Sequence, residues 1–173
     1  MTEPLLMNLE NNVYLEDEAL IIIDRRKLPR TITPVYCTEA EEVAGAIREM
    51  MVQGAGDIAV TAGYGLYLAA RRMEREGRAH DRTGLEKAAS LLKATRPTGF
   101  HLAALLDRLL QRVDAAGRDR APSEAILEYI GRALSRQREI SRETGRHAET
   151  LLASGDTILT HCFAGAGLLY MLR

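Results

Sequence analysis

Apolar residues come in short, strand-like blocks near the N-terminus and recur every three to four positions after Thr38. Val13-Tyr14-Leu15 and Ala19-Leu20-Ile21-Ile22-Ile23 flank the polar Glu16-Asp17-Glu18, which predicts a β-hairpin with a three-residue loop. Lys27-Leu28-Pro29 breaks the run. Ile32-Thr33-Pro34-Val35-Tyr36-Cys37 predicts a third, edge-like strand, because Pro34 has no N–H to give to a ladder.

Helical spacing then takes over. Thr38 is a good N-cap, and Glu41 three positions later would complete a capping box. Val43, Ile47, Met50 and Met51 follow on one face. Gln53-Gly54-Ala55-Gly56 ends that helix, and Asp57 can cap the next one, over residues 58–74. This second helix is small or apolar almost all round, with Gly63 and Gly65 allowing a close neighbour. Further helices are expected over residues 83–93 and 100–115, separated by Thr95-Arg96-Pro97-Thr98. Pro122 suits the first turn of a last long helix running to Ala153. Ile126, Ile130, Leu134, Ile140, His147 and Leu151 hold one of its faces for about eight turns. His101 and His147 are expected to look inward from their helices. Residues 157–160 predict a strand, and Gly165 introduces a short apolar helix.

At 173 residues the chain is sized for one well-buried core. A net charge of -1 gives no reason to expect nucleic acid or an anionic membrane as partner. No apolar run approaches the roughly 20 residues of a membrane span, and the N-terminus lacks the pattern of a signal peptide. Cys37 and Cys162 suggest no disulfide framework, so a cytoplasmic location is expected. With no Trp and two Phe, the chain also lacks the aromatic platforms of single-strand nucleic acid binding.

Three segments could carry chemistry. In Thr160-His161-Cys162-Phe163-Ala164-Gly165 the thiol stands between a strand end and a helix, a position that favours thiolate. Cys162 reads either as an acid/base or nucleophilic group or as a small buried hydrophobe. In Gln53-Gly54-Ala55-Gly56-Asp57 a glycine turn enters a helix, which suits phosphate, although Asp57 would repel an anion there. The same residues also read as a plain helix–helix turn. Arg96, held before Pro97, could grip a phosphate with its planar fork or be an ordinary surface arginine. No spacing resembles a metal site, and no cofactor is implied.

Together these segments resemble the family of methylthioribose-1-phosphate isomerases, ribose-1,5-bisphosphate isomerases and regulatory subunits of translation initiation factor 2B. The marks run from Ile23-Asp24-Arg25-Arg26-Lys27-Leu28-Pro29 through Glu41-Glu42-Val43-Ala44-Gly45-Ala46-Ile47-Arg48, Gly54-Ala55 and Ala62-Gly63-Tyr64-Gly65-Leu66. They continue in Thr95-Arg96-Pro97-Thr98 and Leu159-Thr160-His161-Cys162 with Gly165. The resemblance implies an aldose–ketose isomerase acting on a phosphorylated sugar, with Cys162 transferring the proton and Gly54, Ala55 and Arg96 binding substrate. It leaves an enediol route and a hydride shift both open.

The fold it implies is an α+β N-terminal domain, a small antiparallel sheet plus helical bundle over residues 1–154. The first strand and helix of a truncated Rossmann-like α/β domain would follow over residues 155–173. A homodimer is implied for the full-length protein. The aspartate that partners the cysteine in these isomerases, and nearly all of that α/β domain, are not in the chain. The expectation is therefore an N-terminal fragment, inactive alone.

Several residues depart from the pattern. Gln53 stands where the isomerases carry an arginine, and Gly56-Asp57 replaces a proline and a small apolar residue. Phe163 replaces an asparagine after the cysteine, and His101 stands where an asparagine is common. Gln53 and Phe163 favour a rival reading, a non-catalytic regulatory relative that binds a phosphorylated sugar or nucleotide. The presence of Cys162 favours the enzyme. A third reading is a helical interaction domain built on residues 122–153.

Overall fold

Val13–Glu16 (β1) and Ala19–Ile23 (β2) pair antiparallel in the computed structural model, which describes residues 4–160 and 165–172. Glu16 lies opposite Ala19, so the turn is Asp17-Glu18 alone, one residue shorter than expected. Asp17 takes φ 52°, a left-handed conformation that aspartate tolerates better than most residues and that tight hairpins use. Pro34–Cys37 (β3) pairs with the other side of β2, giving the order β1-β2-β3. Pro34 stands at the sheet's edge strand as its missing N–H requires.

The helices are Ala40–Arg48 (α1), Ala55–Arg75 (α2), Arg82–Lys93 (α3), Phe100–Ala116 (α4), Pro122–Glu149 (α5) and Gly165–Met171 (α6). α1 starts two residues after the expected cap. Glu39 is its N-cap and Glu42, not Glu41, closes the box. The Glu42 carboxylate accepts from the backbone N–H of Thr38 at 2.6 Å and of Glu39 at 3.2 Å. These bonds, the one from Thr38 foremost, hold its pKa below the usual carboxylate value.

α2 is the axis of the bundle, with α1, α3, α4 and α5 packed around it. Its glycines do what the sequence suggested. A Cβ on Gly65 would sit 2.9 Å from Leu92 Cδ2 and 3.1 Å from Val43 Cγ1, and one on Gly63 would sit 3.2 Å from both Leu109 and Ile130. The core is aliphatic, built from residues such as Ile47, Leu66, Leu92, Leu106, Leu109 and Ile126.

The long face of α5 divides into two parts. Ile126, Ile130 and Leu134 are buried in the bundle, whereas Ile140 is 55% and Leu151 82% exposed. The helix ends at Glu149 rather than near Ala153, and α6 lies against its second half. There the position a Gly145 Cβ would take is 2.5 Å from Tyr170 Cβ. Residues 157–160, expected as a strand, run exposed and unpaired. A parallel strand needs a neighbouring edge, and among the described residues none is offered. His101 and His147 are exposed, not inward, because Leu102, Leu106 and Leu109 take the core face of α4 and the bundle ends before His147. No helix of the described residues is long and apolar enough to cross a membrane.

Candidate functional site

The glycine turn that heads α2 is the best-constructed feature of the molecule. Gly54, rather than Asp57, is the N-cap, with φ 94° and ψ 130°, a conformation that side-chain-bearing residues rarely adopt. Ile58 N–H donates to Gly54 C=O at 2.9 Å, so the amides of Ala55, Gly56 and Asp57 precede the first intrahelical bond. They form the positive end of a 21-residue helix.

The carboxylate of Asp57 folds back to 3.8 Å from the Cβ position of Gly54. Its charge is met by Arg25, whose Nη2 lies 2.5 Å from Asp57 Oδ2, with the two side chains only 5% and 17% exposed. Arg25 reaches this place from a 3-10 turn, Arg25–Lys27, that follows β2. Its fork also donates to Gln53 C=O at 2.6 Å and to Asn12 Oδ1 at 2.7 Å and 3.2 Å. Its backbone N–H donates to Met51 C=O at 3.0 Å.

Two more arginines hold the same connector. Arg26, clamped by Asp24 through two bonds of 2.8 Å, donates to Glu49 C=O at 3.1 Å. Arg96 Nη2 donates to Ile47 C=O at 2.7 Å and touches the Met50 sulfur. The segment from the last turn of α1 to Gly54 is thus gripped by Arg96 at its start, Arg26 in its middle and Arg25 at its end. Sequence reasoning singled out Gly54, Ala55 and Arg96, and the structure links them through this connector. It missed Arg25, whose partner Asp57 is 32 positions away. The available signals were its place just after the apolar run Ala19–Ile23 and Asp24, within a segment that carries the family resemblance, and a carboxylate in the first turn of a helix.

Cys162 and His161 lie outside the described residues. On the C-terminal side of the undescribed residues, Gly165 and Ala166 line a cleft of about 50 Å³ together with Asp57, Met7 and Gln137. Gln137 Nε2 is 3.4 Å from the Cβ position of Gly56. The head of α2 and the start of α6 therefore share a cleft, and Arg96 does not line it. The other thiol, Cys37, is 1% exposed at the end of β3. Burial pushes its pKa up to about 11, with the Glu42 charge adding to the effect, which makes it a packing residue and not a nucleophile.

Residues 51–173 match the initiation factor 2 subunit family. The chain belongs to that family. The methylthioribose-1-phosphate isomerase of Desulforamulus reducens is 34% identical over 158 residues, which is 90% of this chain and 46% of that protein. The enzyme of the same name from Herpetosiphon aurantiacus is 39% identical over 153 residues, covering 86% and 42%. Among solved structures, the delta subunit of translation initiation factor eIF-2B from A. fulgidus superimposes with a TM-score of 0.68 at 31% identity, over 90% of this chain and 46% of that one. The 5-methylthioribose 1-phosphate isomerase of Pyrococcus horikoshii OT3 gives 0.66 at 31%, over 90% and 44%. The chain thus spans about half the length of these relatives, 42–46%. In this initiation factor 2 subunit family member the match starts at Met51. It takes in the glycine turn and α2, while the hairpin and Arg25 precede it.

Proposed function

We propose that this chain is the substrate-gripping N-terminal part of a sugar-phosphate aldose–ketose isomerase. The reaction is that of the relatives' name, methylthioribose 1-phosphate to methylthioribulose 1-phosphate. The observation that carries this reading is 34–39% identity to proteins named as that enzyme, across 86–90% of the chain. In the chemistry, the sugar ring opens, a hydrogen moves from C2 to C1 and the C2 hydroxyl becomes a carbonyl, with no net change of atoms. Cys162 serves as the acid/base group. Gly54 and Ala55 offer backbone amides to the phosphate at the head of α2.

The objection that Asp57 repels an anion there is weakened by Arg25, which compensates its charge. Arg96 spends only Nη2 on protein partners among the described residues, so the rest of its fork remains for an oxyanion. Residues 1–154 form the sheet-and-bundle domain in this reading, and residues 155–173 open a Rossmann-like α/β domain. The working protein is a cytoplasmic homodimer.

The test is turnover of methylthioribose 1-phosphate, followed by NMR in the polypeptide that the reading frame encodes. The expected result is ketose phosphate from the parent protein and a loss of at least about a hundredfold in Cys162→Ser. Unchanged turnover in Cys162→Ser removes the catalytic assignment. A second reading, a regulatory relative that binds a phosphorylated sugar or nucleotide without turning it over, is favoured by the likeness to the delta subunit of eIF-2B, with a TM-score of 0.68 at 31% identity. Tight binding with no product in any variant would select it.

A further inference from the structure

A groove of about 1040 Å³ runs between α4 and α5, sharing Gln137 and Ser141 with the cleft at the head of α2. From His101 to Ala116 it follows α4 for about 22 Å at 1.5 Å per residue, or roughly four helical turns. Its walls carry five arginines, Arg108 and Arg112 on α4 and Arg120, Arg132 and Arg136 on the α5 side, against a single carboxylate, Glu128. The protein as a whole carries a net charge of -1, so this is a local concentration of positive charge on a nearly neutral molecule.

The carboxylate is already engaged, since Arg120 and Arg132 both pair with Glu128. Arg112 lies over the Tyr129 ring, 5.6 Å from its centroid, which joins the two walls. One turn along each helix from that contact stand Arg108 and, across the groove, Arg132, with Arg136 a further turn along α5. Among the described residues, no carboxylate pairs with Arg108 or Arg136.

The lining also includes Ala115, Ala116, Ala125 and Ala133, with Ile140 more than half exposed. Small side chains let another helix approach to the usual 8–10 Å between axes. The arginine pairs 108/112 and 132/136 repeat every four residues, about 6 Å, which is the spacing of carboxylates at i and i+4 on a facing helix. Base stacking has little to work with here, because the Tyr129 ring is already covered by Arg112.

We propose that the α4–α5 groove is a docking site for an acidic amphipathic helix of a partner protein. Its apolar face lies on the alanines, and its flanking glutamates meet the two arginine rows. The charge rows give rate and orientation, and the alanines give the buried contact.

The test uses the whole chain and a designed helical peptide of about 18 residues, roughly 27 Å long. The peptide has an Ala/Leu face flanked by Glu rows, and a matched peptide carries Lys in place of Glu. Binding is read by fluorescence anisotropy, and the contact is mapped by amide chemical shifts. The expected result is binding of the Glu peptide only, weakened at least about tenfold by raising NaCl from about 50 to about 300 mM. Arg108→Glu with Arg136→Glu lowers affinity at least about tenfold, while Arg30→Glu, on the exposed loop before β3, leaves it unchanged. Both altered residues are exposed, and retention of the parental melting temperature confirms that the variant is folded. Equal binding of the Lys peptide, shifts confined to other helices, or no loss in the double variant overturns the proposal. Tighter binding of tripolyphosphate or an RNA oligonucleotide to the same groove also overturns it.

Discussion

Removing one member of the Arg25–Asp57 pair should destabilise the fold far more than a surface ion pair does, and the two losses should not add. Asp57→Ala removes the carboxylate 2.5 Å from the Arg25 fork, which is 5% exposed and keeps its bonds to Asn12 Oδ1 and Gln53 C=O. Removing one partner of a buried ion pair costs about 3–5 kcal/mol. Because Asp57 itself is 17% exposed, water takes up part of that, and about 2–3 kcal/mol is expected. Arg25→Met keeps most of the side-chain volume but removes donors to Gln53 C=O and Asn12. Each acceptor left without a partner costs about 1–3 kcal/mol. The Asp57 carboxylate is then left at the positive end of α2, a position worth about 0.3–1 kcal/mol to it, so the net cost is about 3–4 kcal/mol.

In the double variant no charge is stranded, and the combined loss falls short of the sum by at least about 1.5 kcal/mol. Urea unfolding followed by circular dichroism measures all four corners of the cycle, and an unchanged m-value confirms that the denatured states are comparable. Additivity to within about 0.5 kcal/mol would refute the reasoning and make the pair a bystander to the glycine turn.

Other outcomes follow from the same geometry. Gly65→Ala places a methyl 2.9 Å from Leu92 and should cost about 1–3 kcal/mol in urea unfolding, whereas Gly131→Ala, with nothing within 4 Å, should stabilise by about 0.5–1 kcal/mol. Gly54→Ala has room for its methyl, 3.8 Å from the nearest atom, but must hold φ 94°, so a loss of about 1–3 kcal/mol from the backbone alone is expected in the same assay. Cys37 should resist iodoacetamide in the native chain at pH 8 and react on unfolding, as intact mass will show. Above about pH 8.5 the unfolded chain loses a thiol proton that the folded chain keeps until about pH 11, so Cys37 lowers stability as pH rises through that window. Glu42→Gln removes a carboxylate whose pKa is lowered by folding, a contribution present above its unfolded pKa and lost as pH falls. The variant should therefore lose less stability on acidification than the parent between about pH 5 and pH 2.

The sequence made the local structure readable because periodicity and turn chemistry are themselves local. The five main helices and three strands stand where alternation and helical spacing placed them. Errors came where a partner decides the outcome. The hairpin lost a residue of its loop because the pairing of Glu16 with Ala19 fixes the register. Residues 157–160 have strand composition, but composition cannot supply an edge to pair with. The apolar stripe of α5 is continuous in sequence, yet burial depends on what lies opposite, and the bundle stops near Leu134. At the site, the glycine turn before α2 was legible, although Asp57 and not Gly54 was expected to cap the helix. The part played by Arg25 was not, because it depends on contacts 13, 28 and 32 positions away.

The second half of α5 gives the molecule a pointer. Residues 135–149 continue for about 22 Å past Leu134 at 1.5 Å per residue, with α6 lying against them, so tilting the bundle end by about 10° would sweep the tip by about 4 Å. At that tip Gly145 meets Tyr170 with no space for even a methyl group. A slight change in how the bundle packs would therefore be carried along α5 to the α6 helix that Gly145 holds at contact distance.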